Sequence, residues 1–333
     1  MSFVTEINGF DPNYFWILGA LPLGLGLDLA LGYLPGRSHP IRWLGRLIEV
    51  VKGSVGRTVA RLGGGRGGDL FGGILLVVLV VGTVSSVVWL ITDLGDTIGQ
   101  LATLLVRALL IAAGLAVRST GDQILLAAEA PDQLTARSWL ELVGGHPPAR
   151  FDELGVDRVC VAAVGELATS LIVAPLFWLA VGGPAAMWGF LAIRSLREAA
   201  PARRPGRVEL SRQVTVTLAD LAETLPAVLT WVLVVAAAGV TRANPVRSWT
   251  VGWQAGRSNP RIVPIWGQAA LAGALGVRVP AGRSFIADRS VLDPWVGDST
   301  RPLDHLAVVR AVRIMQVASF LAAGLVLLVT IVW

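Results

Sequence analysis

The sequence predicts an all-α, polytopic integral membrane protein of one domain. It should have about four to six membrane helices, re-entrant segments among them, and amphipathic helices at the interface. Three observations carry this. Only 15% of the 333 residues are charged and 54% are hydrophobic, whereas soluble domains carry roughly 25% charged residues. Long apolar windows recur along the chain, several near the twenty or so residues that span the hydrocarbon core. Trp16, Trp89, Trp178, Trp188, Trp231 and Trp333 fall near the ends of these windows, as interfacial aromatic belts do.

The first window, "FWILGALPLGLGLDLALGYL" (15–34), follows a mildly acidic start with no basic region and no small-x-small cleavage pattern. It therefore reads as a retained membrane helix rather than a signal peptide. Clear windows follow at 71–92, 101–117 and 314–333. The stretch 225–240 is short for a full crossing, and 171–193 is broken by Gly182-Gly183-Pro184. Residues 118–160 alternate polar and apolar residues at helical spacing, which predicts one or two amphipathic helices.

Three basic blocks separate these elements: 35–70, 194–213, and a Pro- and Gly-punctuated region, 241–312, with little periodicity. If every window crossed, the first two blocks would fall on opposite faces, against the positive-inside rule. A re-entrant hairpin turning at Gly182-Gly183-Pro184 removes the conflict, because non-helical backbone is tolerated at membrane depth where protein covers it. The basic blocks are then expected on the cytoplasmic face of a bacterial-type inner membrane.

Function classes narrow as well. A formal charge of +5 on an apolar chain points to headgroup contact rather than to nucleic acid. A single cysteine, Cys160, excludes an internal disulfide framework. His146 and His305 have no neighbouring ligands in sequence, so no metal site is expected. "LGGGRGGD" (62–69) lacks the Gly-Lys-Ser/Thr ending of a phosphate loop and precedes a membrane helix, so it reads as a linker.

Several motifs stand in a recognisable order: "HPIRWLGRLIE" (39–49), "VAPLFWLAVGGPAAM" (173–187), "ADLAETLPAVL" (219–229), "AGALGVRV" (272–279) and "DPWVGD" (293–298). Together they resemble the CbiB/CobD family of cobalamin biosynthesis over about residues 25 to 320. The resemblance implies membrane proteins that join adenosylcobyric acid to an aminopropanol in an ATP-dependent amide-forming step. Such chemistry activates a carboxylate by phosphorylation before an amine attacks, and it would use ATP and magnesium.

The departures from that pattern concentrate at polar positions. Where the family has "ETVAENTVDG" this chain reads "AAVGELATSL" (162–171), keeping Glu166. Where the family has "KAVNTLDSM" it reads "LAIRSLREA" (191–199), with Leu191, Arg194 and Arg197 at the Lys, Asn and Asp. Of a paired Asp only Asp220 remains, with Ala219 before it, Glu223 in an Asn place and Val228 in an Arg place. Gln268 stands where a Glu would sit.

If activity is retained, Glu166 and Asp220 are the candidate catalytic carboxylates. His39, Arg42, Arg46, Trp295 and Asp298 are the candidates for substrate binding. Each has a plainer reading too. His39-Pro40 is also a helix-start turn, and Arg42 and Arg46 also form a headgroup-facing helix surface. Asp220 and Glu223 also suit the N-terminus of a helix entering 225–240, and Asp298 also suits a structural turn. The loss of carboxylates favours a relative that has lost or altered the synthase chemistry and serves as an accessory subunit of a membrane complex. The alternative is an active, divergent adenosylcobinamide(-phosphate) synthase. Expected partners are the lipid bilayer, other membrane subunits and a corrinoid.

Overall fold

The computed structural model describes residues 12–32, 40–61, 66–142, 155–199, 210–259, 263–281 and 295–332. They form helices α1 (Pro12–Leu31), α2 (Pro40–Arg61), α3 (Arg66–Ile98), α4 (Gln100–Gly114), α5 (Val117–Ala128) and α6 (Gln133–Leu142). Then come α7 (Val156–Leu167), a π-helical turn (Ala168–Val173) and α8 (Ala174–Glu198). The chain continues through α9 (Leu210–Val240), α10 (Pro245–Ser258), α11 (Ile265–Leu275), strands β1 (Val279–Pro280) and β2 (Trp295–Val296), and α12 (His305–Val332). The two strands pair antiparallel, Val279 opposite Val296 and Pro280 opposite Trp295.

Five segments are long and apolar enough to cross a membrane: 67–98, 100–128, 156–198, 210–240 and 305–332. Burial separates their roles. Only 22% of the most apolar window of 67–98 is buried, against 94% for that of 156–198. The first offers its surface to lipid, and the second is the inner element that the others wrap.

The inner element has 43 residues, about 65 Å if straight and twice the hydrocarbon thickness. It is not straight. Gly182 (φ −150°, ψ 24°) and Gly183 (φ 70°, ψ −165°) leave helical geometry just before Pro184, and the latter conformation is essentially restricted to glycine. Trp178 Nε1 donates to the Ala222 carbonyl at 3.1 Å, while Arg197 pairs with Glu223. A straight helix would hold Trp178 and Arg197 about 28 Å apart, yet both reach one turn of α9. The segment therefore turns sharply at the glycines. The expected re-entrant hairpin is corrected to a kinked crossing, because the segment starts with Arg158 beside Trp295 and ends with Ala199 on Lys52 of α2, at opposite ends of the bundle.

The end of this segment brings the first two basic blocks together. Amphipathic α2 buries Leu44, Ile48 and Val55 and leaves Arg46 and Glu49 exposed. Its Lys52 donates to the Ala199 carbonyl at the end of α8 (2.6 Å). A Cβ on Gly73 of α3 would meet Ser211 of α9 at 2.6 Å, so these helix starts also touch. The third block does not join them. It begins where α9 ends, about 46 Å of helix away, so all three basic regions do not share one end of the bundle.

Other expectations need correction. The region 241–312 contains two helices and the hairpin; α11 is buried on all sides, which erases any amphipathic period. The stretch 225–240 is the second half of a 31-residue helix, so Asp220 and Glu223 lie mid-helix and cap nothing. Residues 66–69 of the supposed linker are already helical. Trp188 and Trp231 are buried, not interfacial. Trp231 packs against Trp249, Trp253 and Trp266, and Trp188 donates to the Leu110 carbonyl. Trp89 is exposed, as a belt residue would be. Asp28 replaces the missing cap of α5, accepting the backbone N–H groups of Val117 and Arg118 at 3.1 and 3.3 Å.

Candidate functional site

One face of α9 is buried with its polar groups: Thr215, Glu223 and Thr230, with Ala219, Pro226 and Ala227 between them. The last turns of α8 lie opposite. There Arg194 and Arg197 are each 5% exposed, and Glu223 is 2% exposed. The Arg197 guanidinium bonds the Glu223 carboxylate and lies 3.7 Å from Asp220. Arg194 pairs with Glu198 one turn on, at 2.6 Å. The Nε groups of both arginines are buried without a hydrogen-bond partner. Lys52, 3.7 Å from Glu49, closes the end of this network through Ala199; a cation at a helix C-terminus is favourable.

Removing charges from water costs several kcal/mol per ion, and attraction recovers it only when partners are close and hydrogen-bonded. An ionic cluster inside a membrane bundle is therefore a functional candidate by default. A π-helical turn in the neighbouring layer, Ala168–Val173, where Thr169 meets Gly267, is a further feature common at functional sites.

The residues meeting here include three where the chain departs from the CbiB/CobD pattern. Arg194 and Arg197 stand at an Asn and an Asp, and Glu223 at an Asn. Read singly, each departure erodes a site. In space, a new cation faces a new anion, and the retained Asp220 sits beside the same guanidinium. The charge reversal is matched. This cluster does not fit a magnesium ion, because Arg197 already occupies the space between the two carboxylates as a cation. Among the described residues no group of three His, Cys, Asp or Glu could hold a metal ion.

The other sequence candidates lie elsewhere. Glu166 is half-buried on α7, next to Gly165, where α7 and α11 approach so closely that a Cβ would meet the Gln268 backbone at 2.6 Å. Gln268 donates its side-chain amide to the Ala162 carbonyl. Gly267 packs against both the Gly165 carbonyl and Thr230, so this layer lies about 10–15 Å along α9 from Glu223 and Asp220. Glu166 and Asp220 thus belong to different layers. Arg46 is exposed on α2; Arg42 lies on that helix, with its side chain outside the described residues, and His39 is outside them altogether.

Trp295 and Asp298 sit at the far end of α9. The Trp295 ring has the guanidinium groups of Arg158 and Arg278 at 5.5 and 5.6 Å, within cation–π range. Asp298 accepts from Arg247 at 2.9 Å, and Arg247 also donates to Thr300. Thr300 and Arg301 donate their backbone N–H groups to the Gly276 carbonyl, at 3.0 Å each. This clamp fastens the hairpin to the end of α11, so Asp298 fills the structural half of its two readings. Arg197 and Glu223 were visible in sequence only as lost polar identities, and opposite charge changes in two separate motifs were the available clue.

A polytopic all-α bundle with a kinked inner element and a buried ionic cluster is the architecture of a multi-pass membrane protein. The family model described as CobD/Cbib protein matches residues 21–315, and the chain belongs to that family. It is 30% identical over 302 residues to "Cobalamin biosynthesis protein CobD" of Klebsiella pneumoniae subsp. pneumoniae, covering 90% of this chain and 93% of the relative. It is 29% identical over 304 residues to "Cobalamin biosynthesis protein CbiB" of Salmonella typhimurium, with 90% and 93% covered. A CobD of Pelobacter propionicus is 31% identical over 313 residues, covering 93% and 94%. No solved structure matches the chain. It is a multi-pass membrane protein of the CobD/CbiB family of cobalamin biosynthesis.

Proposed function

We propose that this chain is an active, divergent amide-forming enzyme that joins a corrinoid carboxylate to an aminopropanol with ATP. The observation that carries this is the matched pair Arg197–Glu223 beside Asp220. A scaffold kept after loss of chemistry has no need to hold a buried, complementary ionic cluster at the positions that changed, since apolar replacements would be as stable. In this reading Asp220 and Glu223 orient the cationic groups at the site, and Arg197 holds them. Lys52 borders the cluster from the α2 side. No step is assigned to a metal ion in this cluster. Blocks 35–70 and 194–213, which meet where Lys52 reaches Ala199, face the cytoplasm by the positive-inside rule; the rule gives less weight to long regions such as 241–312.

The accessory-subunit reading keeps one observation in its favour: Leu191, Ala219 and Val228 replace polar family positions, and none of them supplies a charge. One experiment separates the two. The chain is expressed in a bacterial strain lacking its own cobinamide synthase, alongside an Arg197→Ala variant. Growth restored by the first and not by the second supports the enzyme. No restoration by a chain shown to be folded in the membrane, together with a stoichiometric partner on purification, supports the accessory role.

A further inference from the structure

A cavity of about 280 Å³ opens at the end of the bundle opposite the α8–α9 network, lined by Arg242, Arg301, Arg310 and Arg313 with Thr241 and Ile314. Three elements converge to make it: the end of α9, the end of α11 and the second and third turns of α12. Its lining holds four guanidinium groups and no carboxylate. Several arginines elsewhere in the bundle are paired: Arg107 with Asp96, Arg118 with Asp122, Arg137 with Glu141, Arg247 with Asp298. Among the described residues, none of the four cavity arginines has an ion pair or side-chain hydrogen bond. Like charges held around one cavity repel unless an anion joins them.

The backbone adds an independent sign. Arg242 has φ +58° and is the only non-glycine residue with positive φ among the described residues. A helix end in this conformation ordinarily takes glycine, because a side chain there is strained. Here an arginine takes it, and that arginine lines the cavity. Arg301 is held by its backbone N–H on the Gly276 carbonyl, so the lining is fixed from the loop side as well.

We propose that this cavity is a binding site for a phosphate group. Arginine forks suit phosphate geometry, and the volume, at the small end of ligand sites, suits a phosphate with a short substituent. The site lies at the end of the apolar run of α9 and beside the start of that of α12, where a bilayer around these spans would place headgroups. A phospholipid headgroup and a small soluble phosphate ester are therefore its two sources. The proposal is independent of the corrinoid reading.

The test uses the full chain purified in neutral, phosphate-free detergent. Inorganic phosphate is titrated by calorimetry at constant ionic strength, and lipid retention from nanodiscs with phosphatidylglycerol or phosphatidylcholine alone is read by native mass spectrometry. Saturable phosphate binding identifies a soluble ester site, and selective retention of phosphatidylglycerol identifies a lipid site. In either case Arg310→Gln/Arg313→Gln and Arg242→Gly should weaken binding at least tenfold. Arg242→Gly should also melt no lower than the parent protein, since it relieves strain. That keeps the test informative if the double variant fails to fold. Absence of saturable binding in both arms, or binding undiminished in Arg242→Gly, overturns the proposal.

Discussion

Replacing Glu223 by Gln would leave the Arg197 guanidinium, 5% exposed, with only Asp220 at 3.7 Å as its cross-helix counter-charge. Breaking a buried pair by removing one partner costs about 3–5 kcal/mol. The remaining attraction from Asp220 places this case at the low end, about 3 kcal/mol, which is a more than hundredfold change in the unfolding equilibrium. Both groups are almost wholly buried, so solvent screening does not reduce this figure. Arg197→Gln should cost a similar amount, because it removes the cation that both carboxylates face. The double variant should be less destabilised than the sum of the singles, by about 2 kcal/mol or more, since groups in one network are strongly non-additive. The assay is reversible unfolding of the purified protein in mixed micelles, run as a double-mutant cycle. Strictly additive singles would refute the argument that the two residues act as one unit.

Gly183→Ala places a side chain at φ 70°, ψ −165° and should lower stability by about 1–3 kcal/mol, seen as a lower melting temperature. Gly165→Leu should separate α7 from α11, because its Cβ already meets the Gln268 backbone; the expected result is loss of monodisperse protein in size exclusion. Asp132 caps α6, accepting the Thr135 backbone N–H and hydroxyl at 2.8 Å each, and these bonds hold its carboxyl below the usual range. The capping contribution is therefore complete above the unfolded carboxylate value near pH 4. It is lost as the pH falls through the lower folded value. Amide exchange at Thr135 should accelerate over that acid range, and Asp132→Ala should abolish the effect.

The sequence displayed the lipid-facing surfaces best. The 67–98 helix meets lipid along most of its length, so its apolar run is nearly unbroken. The break in the inner element was legible too, because Gly182-Gly183-Pro184 interrupts an apolar run, whereas a return to the face of entry, which the positive-inside rule suggested, is not what the segment makes. Inner elements were harder to read. Helix α11 is buried all round and shows no period. The polar half of α9 read as the start of a short helix entering 225–240, because the partner of Asp220 and Glu223, Arg197, lies on another element. That pairing spans 26 positions along the chain. Charge loss was visible in each motif alone, whereas charge matching exists only in three dimensions.

The order in which these partners leave the ribosome has a consequence for biogenesis. Arg194 and Arg197 end the inner element, and the carboxylate that neutralises Arg197 is synthesised only afterwards, in α9. When residues 156–198 first enter the membrane, that cation has no cross-helix counter-charge. The end of the element can settle at its final depth only once α9 has followed. Truncation after residue 209 should therefore leave the element incompletely integrated, and truncation after residue 240 should let it seat. Insertion of this chain is thus a two-step process, with the second helix licensing the burial of the first.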